Sequence, residues 1–325
     1  MRTIRHGPPE QVRLHLRLVL AHQQDQVVGL AFHPALPFLA SVDGSGTLRL
    51  WNLETGGASL LAKGEHSRLS CVAYHPDGHL LATGDEEGMI WLWDTTSGGY
   101  PQPRASHRLA LLTVVFSPDG RLLASSALDG SAALWRLEAA APPIILAGHT
   151  DIVESMAFHP GRQLLATAAQ DGSVRFWQPM TGNPLALLFQ GEGWVNSIAF
   201  SPDGQWLAGG LEMGEALVWE LHSGRVARRL TGHQESILSV AFSPDSRILA
   251  TGGQDSTARL WSVETGRLLA TASGHKEAVS RVAFWPQGTA APGAASAPLL
   301  AAEPFLLATG SRDGSVRLWS VVTEP

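Results

Sequence analysis

Imidazole, hydroxyl and carboxylate side chains recur along this chain at fixed intervals, and together they are the ingredients of nucleophilic catalysis or of a metal site. Six histidines, His22, His66, His107, His149, His233 and His275, each stand about nine residues ahead of a Phe or Tyr. A hydroxyl column reads Ser41, Thr83, Ser125, Thr167, Thr251 and Thr309, with Gly209 in its fifth place. A carboxylate column holds Asp129, Asp171, Asp255 and Asp313, while Ser45, Glu87 and Met213 fill its other places. Which chemistry these groups perform depends on whether they converge, and therefore on the elements that carry them.

Tryptophan marks out those elements. Trp51, Trp93, Trp135, Trp177, Trp219 and Trp261 stand 42 residues apart, and Trp319 follows 58 residues later. The hydroxyl column lies ten residues before each tryptophan and the carboxylate column six before, in a short turn usually followed by glycine. A fixed period of this size, with one large aromatic per unit, means one supersecondary module repeated many times. A length of 325 residues would by itself predict about two domains, but the period runs through nearly the whole chain and predicts one. Between the columns lie Phe116-Ser117-Pro118-Asp119-Gly120 and Phe200-Ser201-Pro202-Asp203-Gly204, whose Pro and Asp-Gly chemistry makes tight hairpins. Each unit therefore reads as several short strands joined by turns.

These columns resemble the WD-repeat β-propeller family. Gly148-His149, Gly232-His233, Gly274-His275 and Trp93-Asp94 match its signature, whereas Asn52, Arg136, Gln178, Glu220, Ser262 and Ser320 follow the other tryptophans. The resemblance covers roughly residues 11 to 323. It implies an all-β fold: a single seven-bladed propeller of four-stranded antiparallel blades over residues 11–325, after an N-terminal tail of residues 1–10. It also implies one hydrogen-bonded cluster inside a blade. The matching sets are His107, Ser125, Asp129 and Trp135; His149, Thr167, Asp171 and Trp177; His233, Thr251, Asp255 and Trp261; and His275, Thr309, Asp313 and Trp319. In such a cluster the indole N–H donates to the hydroxyl, the hydroxyl to one imidazole nitrogen, and the carboxylate orients the other. The histidines then sit in different blades around a ring, and the expectation is a structural network without metal or cofactor.

The ends of the chain bear on closure. The last repeat stops soon after Trp319, so its blade lacks an outer strand, and Val12 to Leu20 alternates apolar and polar residues as a half-buried strand does. Pairing of this N-terminal strand with the C-terminal blade is expected to close the ring.

Composition excludes several function classes. A formal net charge of −6 with no basic stripe argues against nucleic acid as partner, because phosphate neutralisation needs one. Cys71 is the only cysteine, which leaves no disulfide framework or CxxC metal site. No apolar run approaches membrane-spanning or signal length, so a cytoplasmic protein without membrane contact is expected. No nucleophile elbow, HExxH or phosphate loop is present, so no enzymatic activity is expected.

Departures from the repeat are where function has room to act. The seventh unit carries 58 − 42 = 16 extra residues, placed at Thr289 to Pro304 in the first hairpin, with Leu299 and Leu300 as a possible docking pair. The fifth unit has lost three network members together, through Gly191, Gly209 and Met213, and presents Trp194, Leu211 and Glu212 near its histidine-side loops. Asp85 and Glu86, with Asp43 and Glu87, read as an acidic patch that would attract basic segments. The expected function is a non-enzymatic scaffold that binds a protein or peptide on the loop face around the central channel. Two alternatives are a sensor or regulatory subunit of a multi-component effector system, and a propeller enzyme with a channel active site.

Overall fold

A computed structural model describes residues 11–20, 25–63, 68–96, 101–138, 141–286 and 305–324. They form seven antiparallel sheets of four strands each, one blade to each tryptophan of the repeat. Blades 1 to 6 take consecutive strands from residues 27–63, 69–106, 111–145, 153–190, 195–231 and 237–272. The first strand of each blade packs against the first strand of the next, and Val279–Phe284 of blade 7 packs against Val27–Phe32 of blade 1. The sheets therefore stand around a closed channel.

Side-chain size follows position in the blade. The second strand, Leu122–Ala127 in blade 3 and Ile248–Gly253 in blade 6, is buried at every residue. Both of its faces meet neighbouring layers, and the alanine, serine and glycine of these strands let the sheets approach closely. The apolar clusters lie between blades rather than within them. Trp177 of blade 4, for example, packs with Ala124 and Leu134 of blade 3, and a fully buried leucine in such a cluster is worth about 2 kcal/mol.

Polar clasps add direction to that packing. The hydroxyls of Ser155, Ser197 and Ser239 each accept an amide N–H of the following blade, from Ile198, Val240 and Val282, all at 3.1 Å. On the opposite face His75 Nε2 meets the Gly120 carbonyl at 3.0 Å and His159 Nε2 meets that of Gly204 at 3.1 Å. Both glycines have positive φ, 71° and 68°, and a Cβ at Gly120 would collide with the His75 ring. Glycine is thus required there twice over, for its backbone and for its lack of a side chain.

Closure joins the two ends of the chain. Gln11–Leu20 is the fourth strand of blade 7 and pairs antiparallel with Val316–Glu324, from Gln11 opposite Glu324 to Leu20 opposite Val316, with an irregularity between Leu16 and Leu18. Val12 is buried in the cluster shared with blade 6 and Leu20 in the one shared with blade 1. The insertion of the seventh unit falls in the hairpin between Val279–Phe284 and Phe305–Ser311, and Leu299 and Leu300 lie outside the described residues, as do the N-terminal tail, His22 and His66.

Deleting residues 1–20 removes that strand and leaves Val316–Glu324 with one free edge. The truncated protein is expected to melt at least about 10 °C lower by scanning calorimetry, since each 1 kcal/mol lost moves a domain of this size by about 2–4 °C. An unchanged melting point would contradict closure by the first strand.

Candidate functional site: the mouth of the central channel

Among the described residues the recurring histidines, His107, His149, His233 and His275, are tied up inside their own blades. In blade 4 the Trp177 indole N–H donates to Thr167 Oγ1 at 2.7 Å, that hydroxyl meets His149 Nε2 at 2.6 Å, and His149 Nδ1 meets Asp171 Oδ2 at 3.0 Å. Blade 6 repeats the chain through Trp261, Thr251, His233 and Asp255, and blade 7 through Trp319, Thr309, His275 and Asp313. Each carboxylate also accepts the amide N–H that follows its histidine, from Thr150, Gln234 and Lys276.

Burial lowers the pKa of all three imidazoles, and the facing aspartates only partly offset it. The rings are therefore neutral, with the proton on Nδ1 facing the carboxylate. Burial alone would raise Asp171, but hydrogen bonds from Ser173, Thr150 and His149 outweigh it and hold its pKa at about 2. The same balance depresses Asp255 and Asp313.

Blades 1 to 3 solve the same problem with other parts. In blade 3 His107 Nδ1 meets the Ser131 hydroxyl at 2.6 Å, and Asp129 stands 4.0 Å away, so the carboxylate orients the ring through serine rather than directly. Trp135 and His107 still share Ser125. In blades 1 and 2 the carboxylate has moved two residues earlier, to Asp43 and Asp85. Asp43 accepts the amides of Ser45 and Thr47 and pairs with Arg49 at 3.1 Å. Asp85 accepts the amides of Glu87 and Met89 and the Trp91 indole N–H at 2.8 Å. Both are fully buried, so the expected surface patch of four acids reduces to Glu86 and Glu87, which are exposed.

Blade 5 has replaced the network with apolar packing. The Trp219 indole N–H is buried without a partner among the described residues, and its ring lies over Gly209, where a Cβ would come within 2.8 Å of it. Phe189, from the last strand of blade 4, packs on Trp219 at a centroid distance of 5.4 Å. A Cβ at Gly191 would strike that phenyl ring, so Phe189 occupies space next to the place the histidine has lost. Met213 does not fill the space of the missing aspartate: it is 80% exposed.

Blade 5 is also where the channel mouth differs most from its surroundings. The mouth is a cavity of about 520 Å³ that includes Arg68, Glu86, Glu154, Trp194, Glu212, Arg281 and Arg312 in its wall. Trp194 is 43% exposed, and its amide approaches Glu212 Oε2 at 3.3 Å. Leu211, the next residue back, is buried in the core between blades 4 and 5 and cannot be touched from outside. The structure thus brings Trp194, Glu212 and Glu86 to one cavity and turns Leu211 and Asp85 inward. Met213 was legible only as a lost aspartate; like Leu109 and Leu128 of blade 3, it is an exposed apolar side chain.

The wall of the mouth follows the repeat in position and abandons it in chemistry. One column, 42 residues apart, reads Val28, Ser70, Leu112, Glu154, Asn196, Leu238 and Ser280. The tryptophan column holds one residue type in all seven units; this one holds five. The acids Glu154 and Glu212 belong to blades 4 and 5, and the bases Arg281 and Arg312 both belong to blade 7, so charge is separated across the opening.

The family model described as WD domain, G-beta repeat matches the chain seven times, at residues 14–52, 59–94, 104–136, 141–178, 182–213, 224–262 and 266–320. The fifth match stops at Met213, short of Trp219. No curated protein matches the chain.

Two outcomes test the network. Trp177→Phe takes from the buried Thr167 hydroxyl its indole donor, whereas Trp219→Phe removes an N–H that has no partner among the described residues; urea titration is expected to show the first variant less stable than the second by about 1–2 kcal/mol. The second concerns pH. The buried histidines have folded pKa values below their unfolded value of about 6.5, so their stabilisation is complete above it and is lost as pH falls below it. The melting temperature should therefore begin to fall between about pH 6.5 and 5, ahead of carboxylate titration, and should fall less steeply in His233→Gln.

Proposed function

Because the chain belongs to the WD-repeat family, whose propellers generally serve as protein-interaction scaffolds, we propose that it binds a protein or peptide at the channel mouth on its histidine-side face and performs no chemistry on it. The observation that carries this reading is Trp194. A tryptophan left 43% exposed at the edge of a cavity, with Glu212 beside it, combines a large rigid apolar face with a fixed charge. That pairing is what interface hot spots are made of.

The surroundings support the same reading. Met213, in the turn directly after Glu212, is 80% exposed and adds apolar surface that a partner would cover. Glu212 and Glu154 suit a basic group laid across the Trp194 ring, where a cation is attracted both to the carboxylates and to the aromatic face. The fold gains nothing from this exposure, since Trp219 and not Trp194 packs the blade core. A scaffold reading gives the exposed group a use.

The direct test is affinity capture with partners identified by mass spectrometry, using wild type, Trp194→Ala with Glu212→Ala, and Leu299→Ala with Leu300→Ala. Loss of the captured partner is expected for the first pair only, and by about tenfold or more in affinity when remeasured with purified partner. If the leucine pair abolishes capture and the rim pair does not, the partner docks on the opposite face.

A further inference from the structure

Below the mouth the channel narrows to a cavity of about 110 Å³. Its wall includes seven equivalent positions spaced by the repeat. Six of them, from Gly29 to Ser239, carry Gly, Cys, Thr or Ser, and the seventh is Arg281. Small residues are what the narrow part of the channel accommodates, and three of them have a defined task as acceptors of the next blade's amide. A guanidinium at this level is an exception to the repeat.

Arg281 makes one hydrogen bond among the described residues, from Nη1 to the carbonyl of its neighbour Ser280 at 3.0 Å. Among the same residues no carboxylate lies within ion-pairing distance of it. Of the groups whose field favours its charge, the Cys71 thiol comes first, but burial pushes that thiol up to about 11 and keeps it neutral; the carboxylate among them is Glu154 across the channel, which already accepts the Gln170 side-chain amide at 2.5 Å. The guanidinium is enclosed deeply enough that burial works against its charge, yet its remaining N–H donors open onto the channel. A confined cation with unused donors in a planar fork is a receptor for a carboxylate, which it can bind through two parallel hydrogen bonds.

The route and the charge of the ligand follow from the wall. Arg281 lines both the narrow cavity and the mouth above it, and Arg312 stands on the same blade at the exposed lip. An anion entering from the loop face meets two cations on that side. Glu86, Glu154 and Glu212 balance Arg68, Arg281 and Arg312 around the opening, so the site as a whole is neutral and suits a single negative charge better than a dianion.

We propose that Arg281 receives a carboxylate inside the channel, supplied by an Asp or Glu side chain of the polypeptide that docks on the mouth. This rests on the peptide-binding reading above and adds the chemistry of the inserted residue. The same segment would set a basic group on Trp194 and Glu212 and its acid on blade 7, so the docking direction is fixed by the charge separation across the opening.

The test pans a displayed random-peptide library on the full-length protein as wild type, Arg281→Gln and Arg281→Glu. Wild type should enrich peptides with one invariant Asp or Glu; a wild-type-selected peptide should lose about tenfold or more in affinity for Arg281→Gln; and Arg281→Glu should select a base instead. Peptides enriched without an acid, or bound equally by Arg281→Gln, overturn the carboxylate site and leave peptide binding standing. A second arm melts the proteins in butyrate, a monocarboxylate, against chloride at equal ionic strength, where a rise of about 2 °C or more in wild type and none in Arg281→Gln is expected. Butyrate protection without any enriched peptide keeps Arg281 as the receptor of a free acid and overturns its polypeptide source together with the peptide reading. Absence of both effects overturns all of it. Arg281→Gln should itself melt no lower than wild type, because it removes a confined charge; a drop of more than about 5 °C would make Arg281 a structural residue and end the proposal.

Discussion

The structure depends on one hydrogen bond repeated around the ring, from an indole N–H to a hydroxyl ten residues earlier. Trp51 to Ser41, Trp93 to Thr83, Trp135 to Ser125 and their counterparts in blades 4, 6 and 7 all make it, at 2.7 to 3.0 Å. The bond joins the second and third strands of a blade on one face, and a slip of one residue would put the two groups on opposite faces. Because donor and acceptor are buried, losing either strands the other in a place water does not reach, at about 1–3 kcal/mol. A register fixed in this way is what allows an imidazole from the preceding loop to find the equivalent hydroxyl in blades 3, 4, 6 and 7.

Blade 5 shows that the constraint is on satisfaction rather than on identity. A hydroxyl without its histidine, or a carboxylate without either, would be worse than an apolar site. That blade has accordingly lost all three at Gly191, Gly209 and Met213, and has gained Phe189 against Trp219. One buried indole N–H remains as the residue of the change. Blades 1 and 2 took another course, keeping the tryptophan and hydroxyl and moving the acid to Asp43 and Asp85, where it gathers turn amides.

Much of this was readable from spacing. The period of 42 residues placed every blade, the alternation of Val12 to Leu20 foretold the closing strand, and three of the four full network sets formed as the residues implied. What was not readable depended on distances across space. Asp43 and Asp85 looked like surface charge because the turn that buries them folds back on its own amides. Ser131, two residues after Asp129, carries the contact to His107. His75 and His159 stand two repeats apart, each before a proline, and they clasp Gly120 and Gly204 of the following blade. A fourfold list of columns would have found them had hairpin histidines been aligned like loop histidines.

The channel wall is the other half of the same argument. A repeat that secures its fold through a few buried columns leaves the remaining columns free, and freedom is greatest where side chains face neither a neighbouring blade nor their own sheet. The positions around the mouth meet that condition, and at them the seven units have diverged, into Glu154, Asn196, Leu238 and Ser280 on one column. Divergence by itself carries no function. It becomes informative where a residue is unfavourable for the fold and is present all the same. Trp194 puts an aromatic face into water and Arg281 puts a cation into a narrow space, and each would be relieved by a smaller neutral residue such as most of its counterparts carry. They lie in one continuous cavity, on blades 5 and 7, with opposite charges beside them. A single segment laid across the opening would remove both penalties at once, covering the indole and supplying the guanidinium with its counter-ion.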